Sequence, residues 1–95
     1  MINKNEIIER VKQYIVDASY SESDAIQIDT LIFENSLLDS MGFLFLIDFL
    51  KEEFKIEVED NELVDENFKS INNISEFILK KKIIAEQIVE VLQKV

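Results

Sequence analysis

The sequence predicts an all-α domain, and three observations carry that prediction. Proline is absent and glycine occurs once, at Gly42, in 95 residues, so few helix breakers are present. Apolar residues recur at three- and four-residue spacing over 3–18, 40–54 and 71–82, the period of a helix buried along one face. The one stretch that alternates like a strand, 55–59, has no second stretch to pair with.

The first helix is expected over 3–18, with Ile7, Ile8, Val11, Tyr14, Ile15 and Ala18 on its apolar face. Asn3 and Glu6 have the spacing of a capping pair, and Glu6 and Arg10 that of an i,i+4 ion pair. Residues 19–38 show no period. Ser19, Ser21, Ser23 and Asp24 are turn formers, and Ile26, Ile28, Leu31, Phe33, Leu37 and Leu38 follow irregularly. A connection this long in a compact domain is expected to pack down and supply part of the core, with a short turn near 29–33.

The second helix, 40–54, is the most apolar of the chain. Phe43, Leu46, Ile47, Phe49, Leu50 and Phe54 share the arc expected to face the core. Ser40 stands at the N-cap position, just outside that arc. Met41, Leu44, Phe45, Asp48, Lys51 and Glu52 occupy the other side. A one-sided core does not require three apolar residues there, so this face reads as a docking surface rimmed by acids.

Residues 55–59 are expected to be a loop pinned by Ile56 and Val58. Asp60 is placed to cap a short helix through Glu62, Leu63 and Val64. Ser70 is placed to cap a further helix over 71–82, with Ile71, Ile74, Phe77 and Ile78 inward. Residues 1–82 are read as one domain and 83–95 as its helical extension. There Ile84, Ile88, Val91, Leu92 and Val95 prolong the apolar stripe after an interruption at Lys81. The extension either runs on or turns back at the lysines 80–82. A monomer is expected, although a stripe on a projecting helix would want a partner or a second copy of itself.

Composition excludes several chemistries. Without cysteine the chain itself offers no disulfide, thiolate metal site or thiol nucleophile. Without histidine there is no Ser-His-Asp triad and no imidazole general base. No catalytic residue and no metal ligand is assigned. No apolar run reaches membrane-span length, and residues 1–6 lack a signal-peptide core, so the expected location is the cytoplasm. The net charge of −10 is concentrated: residues 20–68 carry fourteen acids against Lys51 and Lys55. Such a field repels nucleic acid and favours basic protein surfaces.

The order of helix, long loop, Asp-Ser at the head of an apolar helix, short helix and final helix resembles the acyl carrier protein family. The resemblance covers residues 5–80. It includes the 33–37 run Phe-Glu-Asn-Ser-Leu and the Leu37-Leu38-Asp39-Ser40-Met41 run. The 49–58 run Phe-Leu-Lys-Glu-Glu-Phe-Lys-Ile-Glu-Val, the 66–71 run Glu-Asn-Phe-Lys-Ser-Ile, and then Ile74, Phe77 and Ile78 complete it.

The resemblance implies an acyl-carrier-like four-helix bundle. It also implies that Ser40 is esterified with 4′-phosphopantetheine from coenzyme A, whose thiol carries acyl or aminoacyl groups as thioesters. The protein would then be a carrier and not an enzyme. It would be loaded by a phosphopantetheinyl transferase with magnesium, near which Asp39 would act as a recognition residue. It would serve fatty-acid, polyketide or specialised lipid and metabolite biosynthesis. Partner contacts are expected from Asp39, Met41, Leu44, Phe45, Asp48 and Glu52.

Met41 stands where the family usually has leucine, Phe45 where it is often acidic, and Asp48 where it is often apolar. The docking face is thus rearranged relative to fatty-acid carriers. The resemblance points to specialised carriers served by an AMP-forming acyl or aminoacyl ligase, or by synthase enzymes with basic docking surfaces. The competing reading is an unmodified helical adaptor that binds partner helices through its exposed apolar face.

Overall fold

A computed structural model describes residues 3–93. It contains four helices, α1 (Lys4–Ser19), α2 (Ser40–Phe54), α3 (Asp65–Phe68) and α4 (Ile71–Gln93), with 3-10 turns at Ser23–Ala25 and Asp60–Glu62. Among the described residues there is no strand; Lys55 closes α2 in the left-handed conformation, and 56–59 is loop with Ile56 buried. No described helix is long and apolar enough to cross a membrane.

Each long helix contributes one buried stripe. Ile7, Val11 and Ile15 of α1 meet Leu46, Leu50 and Phe54 of α2 and Ile71, Ile74, Phe77 and Ile78 of α4 in a single cluster. Phe43, Ile47 and Phe49, expected in the core arc of α2, are only partly buried and pack around its margin. Phe68 of α3 is fully enclosed. A file of rings, Phe33, Phe43, Phe68 and Phe77, edge-to-face at the first two contacts and tilted at the third, runs from the long loop across α2 and α3 to α4. Centroid separations along it are 5.4, 5.5 and 5.3 Å, the range in which aromatic pairs attract.

The long loop packs down through Ile26, Ile32 and Leu38. Ile32 was not among the expected loop anchors, whereas two that were, Ile28 and Phe33, are exposed at 45% and 36%. Backbone bonds hold Ile32 in place. Its N–H donates to the Lys69 carbonyl at 2.9 Å, and its carbonyl accepts from Leu37 N–H at 2.9 Å. Turns lie at 28–29 and over 32–36, at the two ends of the expected 29–33 range, with Ser36 at φ 55°.

Capping follows the sequence with two changes. Asn3 caps α1 as expected, its side chain accepting from Glu6 N–H at 2.9 Å. Arg10 does not pair with Glu6; it reaches Glu53 of α2 at 3.3 Å and lies 6.0 Å from the Phe54 ring, tying two helices together. The 3-10 turn at Asp60–Glu62 is capped from Glu59 and not from Asp60, and Glu59 N–H donates to Glu62 Oε1 at 2.8 Å. Ser70 precedes α4, and its hydroxyl accepts from Asn73 N–H at 3.2 Å.

α4 does not turn back at the lysines. It continues as one helix to Gln93, and every described residue over 83–93 is exposed. Val95, the last member of the expected stripe, lies outside the described residues. Lys81 marks the edge of the body, with its ammonium 2.6 Å from Glu62 and 5.7 Å from the Phe77 ring centroid.

Candidate functional site

The site forms where the long loop enters α2. Leu38 is buried, and Asp39 follows it with an extended backbone, φ −93° and ψ −171°. Asp39 is the N-cap, with Oδ1 accepting from Gly42 N–H at 2.7 Å and its carbonyl from Phe43 N–H at 2.9 Å. Ser40, expected at the cap, is instead the first helical residue, one position further on. Both residue types cap well, and the carboxylate next to the turn takes the role here.

This arrangement frees the Ser40 side chain. Ser40 is exposed, and among the described residues no hydrogen bond engages its hydroxyl. Its own N–H and that of Met41 belong to the first turn, which has no intrahelical acceptor for them. The positive end of the α2 dipole points the same way.

Gly42 shapes the turn from inside. A Cβ there would lie 3.3 Å from Asp39 Oδ1, 3.3 Å from Leu38 Cδ2 and 3.4 Å from Leu38 Cβ. The glycine thus lets the loop close on the first turn of α2.

Two open grooves flank Ser40, the first mainly apolar and the second of mixed lining. One, of about 440 Å³, is lined by Phe33, Leu38, Asp39, Ser40, Phe43 and Leu44. The other, of about 460 Å³, lies between α1 and the loop and is walled by Tyr14, Ala18, Leu37, Met41, Gly42 and Phe45 among others. Neither is a closed cavity in the core.

The remaining expected site residues share one exposed side of α2. Met41, Phe45, Asp48 and Glu52 follow one another at four-, three- and four-residue steps, a single stripe down the helix, with Leu44 beside it. Met41, Leu44 and Phe45 are 57%, 55% and 57% exposed. The head of α2 is therefore apolar on its outer surface, and the charge begins one turn further down. Asp48 and Glu52 are both exposed. Burial pushes the Tyr14 hydroxyl above its usual value, the negative charge of Asp48 adds to that, and the Tyr14 ring stacks on Phe49 at 4.4 Å. Sequence reasoning missed the contribution of α1: Tyr14 and Ala18 line a groove beside Ser40 although their spacing marks only a core face.

No family model matches the chain. Curated relatives do. An acyl carrier protein of Thermosynechococcus vestitus is 30% identical over 80 residues, 84% of this chain and 96% of that protein. One from Akkermansia muciniphila is 33% identical over 79 residues, 83% of this chain and 96% of its own length. One from Campylobacter hominis is 33% identical over 73 residues, 77% of this chain and 90% of the relative. With that similarity across nearly the whole of each relative, and an all-helical bundle, the chain belongs to the acyl carrier protein family.

Proposed function

We propose that Ser40 is the attachment point of a 4′-phosphopantetheine arm and that α2 presents the loaded arm to partner enzymes. Membership of the family makes the chain a carrier and not an enzyme, and it implies a phosphopantetheine group in general terms. The observation that carries the assignment to Ser40 is an exposed, unengaged serine hydroxyl at the first position of α2, held there by the Asp39 cap.

The surrounding residues fit such a group. The Ser40 and Met41 N–H groups and the helix dipole favour a phosphodiester beside them. The flanking grooves offer apolar walls from Phe33, Phe43 and Leu44 on one side and Met41 and Phe45 on the other. When bound, the arm supplies a thiol on which acyl groups are carried as thioesters, a function the cysteine-free chain has no side chain for. The contribution of the chain is rigidity at the anchor and recognition around it. Leu46 and Leu50, both fully buried, fix the α2 backbone while the outer stripe stays free.

The same stripe is the proposed docking face. Met41, Leu44 and Phe45 supply the apolar contact, with Asp39 above it and Asp48 and Glu52 below. That order suits partners with an apolar recess bordered by basic residues, such as a phosphopantetheinyl transferase and an AMP-forming acyl or aminoacyl ligase. Service in a specialised pathway follows from this rearranged face.

Incubation of the apo chain with coenzyme A, magnesium and a broad-range transferase tests the assignment. One arm is expected on the wild type and none on Ser40→Ala. An unmodified adaptor predicts no mass change in either, and that result would end the carrier reading of Ser40.

A further inference from the structure

The far end of the molecule carries a second feature, independent of Ser40. From 83 to 93, α4 leaves the body and runs for roughly 16 Å with every residue exposed. Ile84, Ala85, Ile88, Val89, Val91 and Leu92 fall within about 160° of arc on a helical projection. This arc overlaps the sector that buries Ile71, Ile74, Phe77 and Ile78 in the first half of the same helix. The steps 71, 74, 78, 81, 85, 88 and 92 alternate three and four, so the core seam continues past Lys81, and none of the described residues covers it there. Ile83, Ile84, Ile88, Val89, Val91 and Leu92 are each 39–69% exposed. Within the arc, Ile84, Ile88, Val89, Val91 and Leu92 leave on the order of 500 Å² of apolar surface in one place, near the top of the range for a monomer's largest patch.

We propose that this end of α4 pairs with the same segment of a second copy, antiparallel, to form a weak reversible dimer. Area sets the strength: covering both patches removes on the order of 1,000 Å², just under the size of stable specific interfaces. Charge sets the orientation. Although the chain carries −10, residues 80–93 hold three lysines against Glu86 and Glu90, so the tails do not share the acidity of the bodies. A parallel pair would bring two acidic bodies and two lysine clusters side by side. An antiparallel pair sends the bodies to opposite ends. A register centred on Ile88 sets Ile84 against Leu92 and the small Ala85 against Val91, filling the seam from both sides. Anionic lipid is a poor competitor for the patch because the net charge of the whole chain opposes it.

Sedimentation equilibrium of the full chain, from about 10 μM to 1 mM, tests the proposal. The weight-average mass is expected to climb from 11.1 kDa toward twice that value. Ile88→Glu is expected to weaken the association at least tenfold with an unchanged circular-dichroism spectrum and melting temperature, because Ile88 lies outside the core cluster. Since the chain has no cysteine, Ile88→Cys should cross-link on oxidation while Glu86→Cys, on the opposite face, should not. A mass of 11.1 kDa throughout, or an Ile88→Glu variant that dimerises like wild type, would overturn the proposal. Patch-dependent binding of a strictly monomeric chain to phosphatidylcholine vesicles would overturn it too, and would assign the face to lipid.

Discussion

Asp39 and Ser40 divide two tasks between neighbouring positions. Asp39 spends its carboxylate on the helix cap, and Ser40 is left with a hydroxyl that serves no structural purpose. Capping and recognition by Asp39 can be separated, because asparagine caps as well as aspartate but carries no charge. Asp39→Asn is expected to stay within about 0.5 kcal/mol of wild type, whereas Asp39→Ala loses about 1 kcal/mol. If the charge contributes to recognition, Asp39→Asn should also load more slowly with coenzyme A and transferase; thermal melts and loading rates on the same samples read out both effects. The Asp-Ser pair, at the head of an apolar period and in this helical order, pointed to the candidate site. Which of the two caps depends on where the backbone passes from extended to helical, a one-residue matter that two good capping types leave open. Ile32 was overlooked for a different reason. It sits in a loop without period, and what buries it is a backbone bond to Lys69, far along the chain.

At the scale of elements, α2 has one buried face and one exposed face. Leu50→Ala and Phe54→Ala are expected to lower stability by about 2–5 kcal/mol, as for other filled core sites. Phe45→Lys, on the outer stripe, should stay within about 0.5 kcal/mol in denaturant unfolding yet impair a partner reaction. A large stability loss for Phe45→Lys would show the stripe to be structural.

The contact between the 3-10 turn and α4 adds a pH dependence. Burial pushes the Glu62 carboxyl up, but hydrogen bonds from Lys81 and from Glu59 N–H, with the Lys81 charge, outweigh it and hold the carboxyl below its ordinary value. A lowered carboxyl stabilises the fold above its unfolded value, and that stabilisation is lost as pH falls through the folded one. Lys81→Gln should therefore be less stable than wild type at neutral pH, and the gap should close as the solution is acidified below the ordinary carboxylate range. Sequence periodicity showed Lys81 only as a break in a stripe. Its partner lies in another element, and lysine is a good helix former, so the run of three could not reveal whether α4 continues.

For the whole molecule, one end of α2 offers a bare hydroxyl between two open grooves, and the opposite structural resource is a helix that outruns its own domain. Helix order and acidity were legible because periodicity and charge are local properties of the chain. The grooves were not, since they form only when α1, the loop and α2 come together around Gly42. Intact-mass measurement of the protein from its native cell, followed by fragmentation to locate any added group, tests the account most directly. The account predicts one phosphopantetheine arm, free or acylated, on Ser40. An unmodified chain, or an arm on Ser36 or Ser70, would contradict it.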